Sequence, residues 1–397
     1  MRIFGETIRI FLGAIILGCG LITASPQPLA AQCSPAATVS LVAELPLLQD
    51  DLAYESLAPA IDRSVHYLRQ LPVEKIFFLC GEEYSVGWLI ESLLAFKRII
   101  EKNPSPQALT DILKKEFTLC QAKGRGSDHK IFLTGYFEPL FKASLTKTAT
   151  YRYPLYRKPP DLVSLPAGKG REKKTGRMEN GVLVPYPTRA EIEKGQLLAG
   201  QELVFLADPV DTFILHVQGS GQIQLADGSL RRVQFAAKNG QEYRSIGRLL
   251  VEKGVMRREE ATMPKIVRYL KEHPEEQEGI LHHNDSFVFF RWGDDAAVGP
   301  MGSLGEPLTP GRSVALDQEC FPPGGLAFLT TRKPRVNAAG EIIGWEPLGR
   351  FVVNQDSGSA IKGAGRLDLF WGGGRYAEVA AGNMKHPGTL YFLVKKK

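Results

Sequence analysis

The chain has 397 residues, 44% of them apolar and 23% charged, a balance that excludes disorder throughout and suggests roughly two domains. A net charge of +6 suits an anionic polymer, but Lys and Arg are spread rather than gathered into a dense basic stripe, so nucleic acid is not expected as a partner. With 40 Gly and 26 Pro, the composition favours short strands joined by turns over a helical bundle.

The first element is a leader. Arg2 and Arg9 precede Ile10–Ala24, a nearly uninterrupted apolar run. It falls short of the roughly 20 residues that span a bilayer. It fits the apolar region of a secretory signal peptide, taken as residues 1–32. Cys19 and Cys33 could each carry a lipid anchor, and plain cleavage near Ala31 is the alternative. Cys80, Cys120 and Cys320 match no metal-ligand spacing. A disulfide among them is open, and its pairing cannot be read.

Residues 52–120 read as helical. Leu57, Ile61, Val65 and Leu68 share a helix face, as do Leu89, Leu93, Phe96 and Ile100, and then Leu109, Ile112, Leu113 and Phe117. Ser105-Pro106 is a cap and first turn. From Lys130 the runs are short and β-rich: Ile131–Thr134, Leu203–Leu206, Phe213–Val217 and Phe287–Phe290. Residues 157–182, rich in Lys, Gly and Pro, read as a long exposed loop. Helix returns at Tyr243–Lys253 and Glu259–Lys271, and the tail reads as strands at Ala327–Thr330, Arg350–Asn354, Arg366–Phe370 and Gly388–Val394.

Several chemistries find no support. His66, His129, His216, His273, His282, His283 and His386 form no zinc-ligand spacing, so no metal or cofactor is expected. No phosphate-binding glycine loop occurs. Ser220, between Gly219 and Gly221, lacks the nucleophile-elbow context, and His216 falls on an expected strand that need not bring it near.

The dense signal runs from Gln355 to Gly372. In Arg366–Phe370 the alternation puts Leu367 and Leu369 on one face and Arg366, Asp368 and Phe370 on the other. Asp is depleted in strands, so a mid-strand Asp368 needs a reason. A carboxyl beside an apolar ring is poorly solvated, which raises its pKa, and a nearby Asp356 would raise it further. A carboxyl still protonated near neutral pH can protonate a glycosidic oxygen. Asp356, before Ser357-Gly358-Ser359, equally suits a turn cap.

These residues resemble the membrane-bound lytic murein transglycosylase A family. Its three-aspartate marks have counterparts in Val314-Ala315-Leu316-Asp317, in Asp356–Gly363 and in Arg366-Leu367-Asp368-Leu369-Phe370. Thr134-Gly135-Tyr136-Phe137-Glu138-Pro139, the stretch Asp211–Gly221, Lys238–Gly247 and Asn284–Phe290 also match. The resemblance covers two-thirds of the chain, from about Thr134 onward.

The resemblance implies a mainly β fold with helices: a double-psi β-barrel from residues 33–139 and 293–397, with a second β domain, 140–292, inserted. The groove between them would hold glycan strands of peptidoglycan. The implied reaction cuts the β-1,4 bond between N-acetylmuramic acid and N-acetylglucosamine without water, leaving a 1,6-anhydromuramyl end. Asp368 matches the acid that then acts as base, and Asp356 the assisting carboxylate. One acid suffices because an intramolecular hydroxyl replaces water. Thr134, Tyr136, Gln218, Ser220, Lys238, Asn239 and Lys362 are expected to touch substrate. Asp317 reads as structural, and Lys362 poses an electrostatic question, since a cation beside Asp368 would oppose the acid role. The protein is expected as a monomer in the periplasm, free or tethered to the outer membrane by an N-terminal lipid. A non-catalytic peptidoglycan-binding protein and a glycoside hydrolase are the alternatives.

Overall fold

The computed structural model describes residues 39–41, 46–124, 129–165, 174–195, 197–293, 299–358 and 360–397. The signal-peptide segment and both candidate anchor cysteines, Cys19 and Cys33, lie outside the described residues.

In chain order the N-terminal third runs β1 (Val39–Leu41), α1 (Leu57–Leu68), β2 (Ile76–Leu79), β3 (Glu82–Ser85), α2 (Val86–Ile100), α3 (Pro106–Glu116), β4 (Phe117–Ala122) and β5 (Ile131–Glu138). The middle runs β6 (Leu140–Ser144), β7 (Tyr153–Tyr156), β8 (Leu162–Leu165), β9 (Lys174–Glu179), β10 (Val182–Pro185), α4 (Arg189–Gly195), β11 (Glu202–Leu206), α5 (Pro209–Gln218), β12 (Ser220–Gln224), β13 (Leu230–Lys238), α6 (Ile246–Glu252), α7 (Met263–Glu272), α8 (Pro274–Leu281) and β14 (Val288–Trp292). The C-terminal part is β15 (Ser313–Ala315), β16 (Leu326–Val336), β17 (Ile342–Asp356), β18 (Arg366–Gly373), α9 (Arg375–Asn383) and β19 (Lys385–Lys395).

Six strands close on themselves. The order β19-β16-β17-β15-β18-β5 is completed by a β19–β5 pairing, and β4 and β1 extend the sheet beyond β19. Closure leaves no free edge among the six. The mainly β fold with helices, built on a closed barrel, is the fold class the resemblance implied. The barrel core joins Leu133, Val314, Phe328, Phe351, Val352, Leu367, Leu369 and Phe392 to the buried faces of α1–α3. The first two helical stripes read from sequence supply that packing, and Leu109 and Leu113 of the third join them, whereas Ile112 is half-buried and Phe117 belongs to β4. A second sheet, β14-β13-β12-β6-β11-β7, lies wholly between β5 and β15 in the chain and has its own core around Leu155, Val204, Ile223 and Phe290.

Three local readings are corrected. The expected loop at 157–182 contains all of β8 and β9 and the first residue of β10, and the three strands form one sheet. Asn180 (φ 49°) and Gly181 (φ 81°) make the two-residue turn between β9 and β10. An Asn-Gly pair is a strong hairpin signal, and the surrounding Lys and Gly obscured it. Phe213–Val217 is helix, not strand: Asp208 caps Val210 N at 2.7 Å and Pro209 opens the first turn. Most of this helix is buried, so no polar stripe reveals its period. The 52–120 stretch also includes the β2–β3 hairpin and β4, which begins at Phe117.

Cys80 and Cys120 form a disulfide between the β2–β3 turn and β4. Cys320 is disulfide-bonded as well. Among the described residues no helix is long and apolar enough to cross a membrane.

Candidate active site

Pairing in the barrel lines up one row of residues. Ala315 on β15 faces Asp368 on β18 and, on its other side, Asp356 on β17. Asp368 in turn faces Thr134 on β5. The β15–β17 register shifts between Val314 and Ala315, so that Asp356 rather than Gln355 stands opposite Ala315. A bulge of this kind re-aims a side chain. The two carboxyl-bearing strands are therefore separated by one strand, roughly 9–10 Å between backbones, and the residue between them in register is the small Ala315.

The alternation read in β18 holds. Leu367 and Leu369 are fully buried in the core, while Arg366 and Asp368 are half-buried on the opposite face. Asp368 accepts a hydrogen bond from the Thr134 hydroxyl. Phe370 lies 5.2 Å from the Tyr136 ring, closing an apolar wall beside it. Burial pushes the Asp368 carboxyl up, the Thr134 hydroxyl and the Arg366 guanidinium pull it down, and the Asp356 charge adds a push, leaving it at about 6.

Asp356 is held differently. Its Oδ2 accepts from the Tyr136 hydroxyl at 2.8 Å, and its Oδ1 from Ser303 N at 2.9 Å and Ser357 N at 2.8 Å. Burial raises its pKa against these three donors. Tyr136 is pushed well above the usual phenol range by burial and by the Asp356 charge. Gly135, between Thr134 and Tyr136, is required by packing: a Cβ there would meet the Trp371 indole at 2.7 Å and Ala381 Cα at 2.9 Å.

The other expected residues divide. Gln218, the last residue of α5, accepts from Phe137 N at 3.2 Å and so ties that helix to β5. Gly219 ends α5 in the left-handed conformation (φ 77°), and half-buried Ser220 begins β12. Lys238 is exposed at the end of β13, and Lys362 is exposed on the β17–β18 loop. Asn239 is not presented to a ligand. It is fully buried; its amide donates to Pro187 O and Asp285 O, both at 2.9 Å, and its carbonyl accepts from Phe287 N and Gln241 N. The cation acting on Asp368 is Arg366, two residues away on the same face, which sequence reading had passed over in favour of Lys362. Asp317 accepts from Gly363 N at 2.7 Å and Glu319 N at 3.1 Å, anchoring the loop that carries Lys362.

Two further residues were missed. Half-buried Tyr243, before α6, is raised mainly by burial, and the Asp368 charge adds to the effect, so its hydroxyl sits within electrostatic reach of that carboxyl. Its stretch is fixed by Arg244 N donating to Asn284 Oδ1 at 3.1 Å and by Ser245 capping α6. Glu138, at the end of β5, is buried against Arg232 of β13 and accepts from Gln222 Nε2 at 3.0 Å. His216 is enclosed in α5 beside Phe287 and Arg189, and burial holds it neutral. It serves packing, not a Ser/His pair.

Comparison with known proteins places the chain among relatives of one family. Residues 132–291 match the family model described as the MltA specific insert domain, and residues 312–394 match the 3D domain. The chain is 35% identical over 275 residues to membrane-bound lytic murein transglycosylase A of Escherichia coli K12, covering 69% of this chain and 68% of that protein. Among solved structures, the membrane-bound lytic murein transglycosylase of Agrobacterium tumefaciens superposes with a TM-score of 0.73 at 28% identity, covering 90% of this chain and 98% of that one. E. coli MltA with bound chitohexaose gives 0.69 at 26% identity, covering 91% and 95%.

Proposed function

Because this chain belongs to the membrane-bound lytic murein transglycosylase A family and is a peptidoglycan-cleaving lytic transglycosylase, we propose that Asp368 is its acid–base catalyst. The bond cut is the β-1,4 linkage between N-acetylmuramic acid and N-acetylglucosamine. A carboxyl at about 6 is partly protonated near neutral pH and can give its proton to the departing glycosidic oxygen. As the C1–O bond breaks, positive charge builds on the muramyl ring. The Asp368 carboxylate then takes the proton of the muramyl C6 hydroxyl as that oxygen bonds to C1, closing the 1,6-anhydro ring. No water enters, and the carboxyl returns to its starting state.

The observation that carries this reading is the unequal state of the two carboxyls. Both oxygens of Asp356 accept hydrogen bonds from fixed donors, so it is poorly placed to activate a water. A hydrolase needs a second working carboxylate. Asp356 fits better as a fixed negative charge that steadies the developing cation. An intramolecular hydroxyl held close has a large effective concentration, which removes the need for a second base.

The residues 33–139 with 293–397, and 140–292, form the two walls of a glycan groove in this reading. The chitohexaose bound by the E. coli relative supports a sugar strand as occupant. Thr134, Tyr136, Gln218, Ser220, Lys238 and Lys362 line it, joined by Tyr243 from the inserted side. The enzyme works in the cell envelope, in the periplasm or on the periplasmic face of the outer membrane, as a monomer that is free or held by an N-terminal lipid. Incubating the protein with purified murein and weighing the products tests the reaction. Anhydro-muropeptides, one water lighter than hydrolysis products, are expected. Products with ordinary reducing ends would assign a hydrolase instead.

A further inference from the structure

Asp368 is held on one side. Its Oδ1 accepts from Thr134, while Oδ2 has no hydrogen-bond partner among the described residues. Thr134 Oγ1 in turn takes a hydrogen bond from Arg366 Nη2 at 3.2 Å. A guanidinium has donors and no acceptor, and a threonine hydroxyl has a single hydrogen. Thr134 must therefore accept from Arg366 and give its one hydrogen to Asp368, so the chain of contacts has a fixed direction. Strand register builds it: on the parallel pair β5–β18, Thr134 stands opposite Asp368 and Phe132 opposite Arg366. The guanidinium lies 4.9 Å from the centre of the Phe132 ring, a contact that holds its plane. It also accounts for a large aromatic left 37% exposed on β5.

We propose that Arg366 and Thr134 are positioning residues that hold Oδ1 of Asp368, leaving Oδ2 to hand over and take back the proton. This rests on the reading of Asp368 as the acid–base catalyst. A donor fixed on one oxygen keeps the other aimed at the scissile bond through both steps. It also favours the ionised form, so the strong upward push of burial is checked and the same group can serve as acid and then as base. The other ionisable groups facing this carboxyl are Asp356 from β17, Tyr136 from β5 and Tyr243 before α6. Lys385 of β19 stands opposite Thr134 in register but turns its ammonium to the Arg258 carbonyl.

The test is the pH dependence of murein turnover in Thr134→Val, Arg366→Gln and the double variant. Thr134→Ser serves as the conservative control, with thermal melts to confirm folding. The first step needs protonated Asp368, so wild-type turnover should fall as pH rises past about 6. Each single substitution should move that limb upward by about half a pH unit or more. The double variant should move it by less than the sum, because the two residues act through one contact. Serine should leave it in place. A limb unmoved in folded Thr134→Val and Arg366→Gln proteins overturns the relay. So does a rise in KM with the limb in place, which would leave Thr134 as a groove contact with no positioning role. Asp368→Asn separates the two claims: continued anhydro-product release there overturns the catalyst on which the relay rests, whereas a dead Asp368→Asn beside unmoved relay variants overturns only the relay.

Discussion

At the scale of single residues, the site turns on how two aspartates are solvated. Asp368 carries a raised pKa because burial outweighs the donors around it, and that has a consequence for stability. A carboxyl near 4 in the unfolded chain and about 6 in the fold binds its proton more tightly when folded. Its contribution is most favourable below pH 4 and is lost as pH rises through 6. Asp368→Asn removes that loss. The variant should melt a few degrees above wild type at pH 7, with the gain vanishing near pH 4; a melting temperature lower than wild type at pH 7 would contradict the burial argument. Tyr136→Phe takes one of three donors from Asp356, so that carboxyl should rise further and turnover should drop by roughly tenfold or more. Steady-state rates at pH 5 and 7 check this, and an unchanged rate would remove Asp356 from the working site.

At the scale of elements, the row Asp356–Ala315–Asp368–Thr134 exists only because β15 is flanked by β17 and β18. The start of β15 is pinned from below. Fully buried Arg312 makes two hydrogen bonds to Asp50, at 2.6 and 2.9 Å, and Asp50 also accepts from the backbone of Phe351, Leu52 and Tyr54. Asp50→Ala leaves a buried guanidinium without its counter-charge and should cost about 3–5 kcal/mol in urea unfolding. A cost below about 1 kcal/mol would show that this pair does not anchor the strand. The alternation around Asp368 was legible in sequence, because β18 buries one face and a period of two survives. Helix α5 was not, because it is buried nearly all round. Nor was the bulge that brings Asp356 beside Ala315: register belongs to a pair of strands, not to either alone. Asn239 shows the opposite failure, a polar residue in a matching motif whose every hydrogen bond is used to hold the backbone.

At the scale of the whole molecule, the barrel and its surrounding helices are tied by the Cys80–Cys120 disulfide, closing 40 residues of chain. Its loss should cost about 2–4 kcal/mol. A Cys80→Ala/Cys120→Ala protein should therefore melt lower while keeping wild-type turnover at 25 °C, since Cys120 lies on β4, which pairs with neither β18 nor β5, and Cys80 lies in the β2–β3 turn. An unchanged melting temperature would show that the bridge does little for the fold. The central claim is that one carboxyl, acting twice, cuts the glycan without water. Mass analysis of soluble products from purified murein, for wild type beside Asp368→Asn at pH 5.5, tests it most directly. The expected result is 1,6-anhydro-muropeptides from wild type and at least a thousandfold less product from the folded variant. Anhydro products released at a comparable rate by Asp368→Asn would contradict it.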